Sequence, residues 1–426
     1  MRILILGSGG REHALADALS RENTTVELIG APGNPGIAEL GQIIALDSAN
    51  PQAVAAAAKS LNADLVVVGP EAPLAAGVVD CLEQNGIPAF GPTMGAATVE
   101  TSKAGTKELM LRAGVPTAHA ETHRNPDAAK EAVRARFGAP VVIKASGLAA
   151  GKGVMVCQTV PEAFSAIDRI LGERAFGDAG AECLVESFMS GEELSLFALT
   201  DGTDVLTMPG AQDHKRLLEG DLGPNTGGMG AYTPVSFSTP ELVDAVTERV
   251  FLPTLHALRK RGTPFRGLLY AGLMITHEGP KVVEFNCRFG DPETQAILPL
   301  LSSSLLDPML TVARGGKIGN MPAFTWRNEA SVATVVAASG YPDSPMKGAE
   351  VTLPQSSDRL RVYHAGTARD QSGVLRVNGG RVVAVTALAD RFADAQKASR
   401  EAAARVVFEG AVYRQDIGWR EAARIA

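Results

Sequence analysis

Cysteine, long apolar runs and excess positive charge are scarce in this chain, and each scarcity excludes something. Its four cysteines (Cys81, Cys157, Cys183, Cys287) show no C-x-x-C spacing and lie in apolar contexts. They read as reduced core thiols, not as a zinc site or a disulfide framework. No apolar run nears the length that spans a bilayer, so no membrane partner is expected. The opening MRILILGSGG has too few apolar residues before its glycines for a signal peptide, which leaves a reducing cytoplasm as the default. The net charge of −7 argues against a general nucleic-acid or membrane-surface binder. A local basic pocket for phosphate is still allowed.

What is present describes an ordinary globular protein. The 426 residues suggest about three domains, each able to bury its own core. Hydrophobic residues make up 45% and charged residues 20%. Glycine, at 45 residues, exceeds the usual share, so many tight turns and close backbone approaches are expected.

Ile3 to Leu6 form a short apolar strand, followed by Gly7-Ser8-Gly9-Gly10 and the helical stretch REHALADALS. Strand, glycine turn, helix is the arrangement that aims backbone N–H groups at a phosphate. A turn that merely closes a βα unit fits these residues equally well. The dinucleotide fingerprint G-x-G-x-x-G is incomplete, because Glu12 stands where its third glycine belongs. The next strand, VELIG, runs into Ala31 and Pro32 with no acid for a ribose hydroxyl, which argues against a nicotinamide cofactor. ADLVVVG, a helix and IPAFG repeat the pattern, so a parallel sheet is expected, with ligands at the carboxyl ends of its strands. Those ends carry Gly9, Gly10, Asn34 and Glu71.

The segment GAATVETSKAGTKELMLRAG reads as one helix carrying Lys103 and Lys107 one turn apart, an ordinary solvated face. Lys144 ends the apolar strand APVVIKAS, where burial without a partner would be costly. The following loop, through Gly151, Lys152 and Gly153, is not a Walker A, because another strand follows it. A glycine loop between two strands behaves as a flap over a nucleotide. Glu186, Phe188 and Glu193 flank the turn of the next hairpin, where acids either meet adenine and ribose or simply face water. Asp213-His214-Lys215-Arg216 and the glycine-rich GPNTGGMGAY suit the wrapping of a small polar ligand. Residues 317–329 read as a linker.

The stretch KVVEFNCRFGDPETQ, residues 281–295, organises the rest. Strand alternation puts Val283, Phe285 and Cys287 on one face and Glu284, Asn286 and Arg288 on the other, each roughly 7 Å from the next. Glu284 and Asn286 offer hard oxygens suited to Mg²⁺ or Mn²⁺, and Arg288 offers a fork for carboxylate or phosphate. An asparagine inside a strand needs a reason, and metal binding supplies one. Asp291 and Glu293 follow in the turn.

Together these residues resemble the ATP-grasp ligases, and within them the glycinamide ribonucleotide synthetase family of purine biosynthesis. GSGGREHALA, APGNPG, GPEAPL, IKASGLAAGKGV, DHKR, GPNTGGMGAY, EFNCRFGDPETQ, HAGT and DIGWR occur in that family's order. The resemblance implies an α/β ATP-grasp ligase with an N-terminal parallel α/β domain (1–100) that binds substrate. A central ATP-grasp domain (101–120 and 190–325), a small lid (121–189) and a small C-terminal α/β domain (330–426) complete it. It implies ATP with Mg²⁺ or Mn²⁺, and glycine and 5-phosphoribosylamine as substrates joined through a glycyl phosphate. Transient contact with other purine-pathway enzymes is a further expectation.

Residue by residue, the resemblance gives the nucleotide to Lys103, Lys144, Gly151, Lys152, Gly153, Glu186, Phe188 and Glu193. It gives the metal to Glu284 and Asn286, and the glycine and transferring phosphate to Asp213, Lys215, Arg288 and Asp291. The phosphoribosylamine falls to Gly9, Gly10, Asn34 and Glu71. Two departures stand out: Ser146 replaces an aspartate common in the family, and the strand YAGLMITH has no acid for a second metal site. The chain's ending soon after DIGWR leads us to expect no fused later enzyme.

Overall fold

A computed structural model describes residues 1–22, 24–149 and 153–425. Gly151 and Lys152, expected to touch the nucleotide, lie outside the described residues.

The first unit is a five-stranded parallel sheet in the order Gln42–Ile43, Glu27–Pro32, Arg2–Gly7, Leu65–Val68, Ala89–Phe90. The central strands are uninterrupted apolar runs because helices cover both faces, leaving no solvated side to alternate. The strand order reverses between Arg2–Gly7 and Leu65–Val68, which opens a crevice at their carboxyl ends.

Residues 120–187 form a four-stranded antiparallel sheet, ordered Ala120–His123, Cys183–Ser187, Val141–Ala145, Val154–Cys157. Its helices start where the sequence allows: Asn125 and Thr159 accept bonds from the freed N–H groups of the first turn, and Pro126 sits just inside. A second antiparallel sheet runs Val205–Thr207, Glu192–Thr200, Gly267–Thr276, Gly279–Asn286. A third orders Gln212–Asp213, Gly230–Thr233, Ala330–Ala338, Arg381–Ala389 and Leu360–His364, with Ala411–Val412 against Ala330–Ala338. No helix among the described residues is long and apolar enough to cross a membrane. All four cysteines are free and three are buried, and burial pushes the thiol of Cys157 to about 11 and that of Cys183 to about 12.

Two expectations need correction. The helix over Lys103 and Lys107 is broken at Ser102 into Met94–Thr101 and Lys103–Ala113, because Ser102 is extended and its hydroxyl caps Gly105 N–H at 3.2 Å. Ser146 completes that start, its carbonyl accepting from Lys103 N–H at 2.8 Å and its hydroxyl from Ala104 N–H at 3.2 Å. The hydroxyl serves as a cap acceptor where a carboxylate would also serve. Secondly, the strand Gly279–Asn286 does not alternate cleanly. A bulge between the pairs Gly272–Glu284 and Leu273–Val282 leaves Val283 unpaired, so Val282, not Val283, shares the buried face with Phe285 and Cys287.

Candidate active site

The bulge has a chemical use. Freed from the ladder, the Val283 carbonyl accepts from Lys144 Nζ at 3.0 Å. Lys144 and Glu186 are diagonal neighbours on one face of the residue 120–187 sheet, since Val142 opposes Glu186 and Lys144 opposes Leu184. Lys144 Nζ lies 2.8 Å from Glu186 Oε2, and Lys107 Nζ lies 3.2 Å from Oε1. Lys107 also donates to Thr117 Oγ1 at 2.7 Å. It is buried, not solvated as its helix face suggested. Burial pushes the Glu186 carboxyl upward, but the two ammoniums outweigh it and hold the group below its ordinary value. Both oxygens of Glu186 are thus taken by lysines. Lys103, lowered by burial against the pull of Glu284, donates to Gly147 O at 3.1 Å. Phe188 stands exposed just past the strand, and Gly153 O accepts from Ala145 N–H at 2.8 Å.

Further along the organising segment, Asn286 Oδ1 accepts from Arg288 Nη2 at 3.1 Å. The guanidinium lies between two acids, Glu100 Oε1 at 3.0 Å and Glu71 Oε2 at 3.4 Å. Glu100 was not singled out in the sequence. It is buried, and its other oxygen accepts from Cys287 N–H at 2.8 Å. Its signal was an acid on the apolar side of a helix, one turn from the buried Ala96 and Ala97. Among the described residues the Glu284 carboxylate has no hydrogen-bond or ion-pair partner. No cluster of three or more His, Cys, Asp or Glu side chains suited to a metal exists among them either. Glu284 and Asn286 offer hard oxygens of the kind Mg²⁺ or Mn²⁺ takes, without the makings of an all-protein cage.

A second cluster joins Asp213, Lys215 and Glu193. Lys215 Nζ lies 2.8 Å from Asp213 Oδ1 and pairs closely with Glu193. Burial pushes Asp213 up to about 7, against Lys215 and with help from Glu293 and Glu193. Glu193 is held low chiefly by Lys215, and Lys215 itself is raised by Asp213 and Glu193 despite burial. Behind them the buried Glu293 Oε1 accepts from Tyr270 OH at 2.7 Å and from Ser195 Oγ at 3.0 Å.

Between the first unit and the carboxyl-terminal strands lies a cavity of about 740 Å³, lined by Gly9, Asn34, Asp291, Thr367, Arg369 and Arg381 among others. Gly10 lies behind it against Gln295, and Glu71 is turned to Arg288 instead. The structure thus brings Gly9, Asn34 and Asp291 to one cavity, whose lining does not include Glu71. The glycine turn does not present Gly9 N–H to a ligand, because Glu12 Oε2 accepts it at 2.6 Å. Glu12 fills the crevice where the strand order reverses. An added Cβ at Gly7 would lie 2.6 Å from its Cδ, and one at Gly69 only 2.2 Å from its Oε1.

Three family models match the chain: phosphoribosylglycinamide synthetase N domain over residues 1–100, ATP-grasp (A) domain over 101–294 and C domain over 331–420. A phosphoribosylamine–glycine ligase of Rhizobium meliloti is 46% identical over 100% of this chain and 99% of its own. The human trifunctional purine biosynthetic protein adenosine-3 is 45% identical over 98% of this chain, which spans 42% of that longer protein. Among solved structures, a phosphoribosylamine–glycine ligase of Thermotoga maritima is 35% identical, with a TM-score of 0.84 over 98% of this chain and 100% of that one. A biotin carboxylase domain of Hydrogenobacter thermophilus, 17% identical with a TM-score of 0.72 over 97% and 91% of the two chains, shares the fold.

Proposed function

Because this chain belongs to the phosphoribosylglycinamide synthetase family and joins glycine to 5-phosphoribosylamine with ATP, we propose how its residues divide that work. ATP lies between the residue 121–189 lid and the central sheet, with its phosphates toward Lys103 and Lys144 and its adenosine toward Glu186, Phe188 and Glu193. Glu284 and Asn286 would hold a Mg²⁺ or Mn²⁺ ion, which when bound neutralises charge on the phosphate oxygens. The biotin carboxylase domain that shares the fold carries the magnesium salt of ADP, which supports a magnesium-bound nucleotide here.

The γ-phosphoryl group passes to the glycine carboxylate, giving ADP and a glycyl phosphate. The amine of phosphoribosylamine then attacks the acyl carbon. A C–N bond forms, the C–O bond to phosphate breaks, and the amine gives up a proton. Arg288 orients the phosphate as a planar fork, and Lys215 offsets the carboxylate charge. Asp213, raised to about 7, is tuned to exchange a proton near neutrality. Asp291, in the lining of the cavity, directs the amine. The division 1–100, 101–120 with 190–325, 121–189 and 330–426, a cytoplasmic setting and passing contact with neighbouring pathway enzymes belong to the same reading. The trifunctional relative supports the last of these.

One observation carries the reading. A single segment reaches both ends: Val283 O takes Lys144 at 3.0 Å, Asn286 takes Arg288 at 3.1 Å, and Asp291 lines the cavity. The test is phosphate release with glycine and phosphoribosylamine supplied separately and together. Full rates should need both substrates and yield ADP; AMP with pyrophosphate would overturn the mechanism.

A further inference from the structure

Resting on the reading above, we propose that Arg369, in the carboxyl-terminal region, anchors the 5-phosphate of phosphoribosylamine and sets the preference for a phosphorylated sugar. The amine must reach the acyl carbon beside Asp291 and Arg288. The phosphate then belongs at the other end of the 740 Å³ cavity.

The groups that first suggest themselves there are already engaged. Gly9 N–H is given to Glu12 at 2.6 Å. Asn34 donates to Ser8 O and His364 O, each at 2.9 Å, while its carbonyl accepts from Gly36 at 2.9 Å and Ile37 at 3.0 Å. Arg381 gives one nitrogen to Gly227 O at 2.6 Å and Asp291 O at 2.9 Å, and the other to Asp291 Oδ2 at 3.1 Å.

Arg369 differs. Its side chain is 51% exposed, and among the described residues its one ion-pair partner is an exposed acid, Glu39, at 3.5 Å. An exposed pair of that length contributes little. Nη1 also donates to Gly373 O at 3.1 Å, and Nε has no partner among the described residues. A guanidinium with free donors is suited to two parallel bonds to phosphate oxygens. Its root is firm. The strand Thr367–Arg369 pairs with Leu375–Val377, and His364 Nδ1 and Thr367 Oγ1 lie 2.9 Å apart. His364 O in turn accepts from Asn34, which ties this strand to the first unit. The floor beside it is bare backbone: a Cβ on Gly366 would lie 2.5 Å from Gly379 Cα.

The full chain should be assayed with Arg369→Gln, the exposed position keeping the fold intact. The KM for phosphoribosylamine should rise about ten- to a hundredfold, the range for one lost charged hydrogen bond. The KM values for ATP and glycine should stay within about twofold of the parent, well below that range. Ribose 5-phosphate should inhibit the parent more strongly than ribose, and the variant should lose that preference. Glu39→Gln, which removes the competing acid, should leave inhibition by ribose 5-phosphate equal or stronger. A variant at Arg369 with parental KM and parental preference overturns the inference. A parent that consumes no phosphoribosylamine overturns the ligase reading instead.

Discussion

Replacing Glu186 by Gln should destabilise the protein more than replacing either lysine beside it. The side chains of Glu186, Lys107 and Lys144 are 4%, 5% and 4% exposed, so two buried ammoniums share one carboxylate. Removing one partner of a buried pair costs about 3–5 kcal/mol. Glutamine keeps an acceptor oxygen, so the lower end, about 3 kcal/mol, is expected. For a unit of 150 to 250 residues that is a fall of roughly 6–12 °C in its unfolding midpoint. Lys107→Met leaves Glu186 paired with Lys144 at 2.8 Å and should cost only about 1–2 kcal/mol. Calorimetry on parent and both variants reads the order directly. Acid titration adds a second measure. Burial raises the Glu186 carboxyl, but Lys144 and then Lys107 bring its folded value below the unfolded 4.5. Its stabilisation is therefore complete above 4.5 and lost as pH falls through the folded value, and Glu186→Gln should lack that part of the acid transition. If Glu186→Gln melts with the parent, the three groups do not share a buried site and the reasoning fails.

Asn286→Leu keeps the strand and should lower turnover about 10²–10³-fold with little change in melting, while the metal needed for half activity rises. Glu284→Gln should be worse, because it also removes charge; metal dependence like the parent's in both would show that neither is a ligand. Arg288→Lys should lose most activity while staying folded, since an ammonium cannot make the forked contact between Glu71 and Glu100 and an anion. Near-parental turnover would make Arg288 a structural cation only. Burial raises Asp213 to about 7 from 3.8, so its folded form binds more protons and its contribution to stability falls as pH rises through that window. Asp213→Asn should flatten that decline and remove a limb near pH 7 from kcat/KM for glycine; an unchanged profile would take Asp213 out of the proton transfer.

Residues whose chemistry shows in local pattern were legible beforehand. Lys144 at the end of an apolar strand demanded a partner, and Glu186 supplies it at 2.8 Å. The alternation of Glu284, Asn286 and Arg288 announced a polar row. Lys107 and Glu100 were illegible for a common reason, which is that their charged partners, Glu186 and Arg288, lie far along the chain. Glu100 meets Cys287 across 187 positions, and no spacing rule spans that distance. The bulge at Val283 was hidden too, because an unpaired residue looks like any other in an apolar run until its cross-strand register is known.

The sequence marks residues 330–426 as a small carboxyl-terminal domain, and the pairing of its strands gives it a larger part. Asp213 pairs with Ala231, and Ala231 with Ala333 of the strand Ala330–Ala338. Arg381, on the next strand of that sheet, holds Asp291 at 3.1 Å. Two acids assigned to the substrates are therefore positioned by a sheet whose central strands begin at residue 330. Periodicity identifies each of these strands, but it cannot say which strands pair when about a hundred residues separate them. That choice depends on burying both faces together, a property of the folded whole. Loosening this sheet, for example with Thr386→Val, should therefore disturb substrate use before nucleotide binding. The Thr386 hydroxyl donates to Gln295 O at 3.0 Å, and Gln295 Nε2 holds Asp291 Oδ1 at 2.6 Å. A rise in KM for phosphoribosylamine with unchanged ADP affinity is the expected result. An equal loss of both would mean that the sheet supports the fold without positioning the acid.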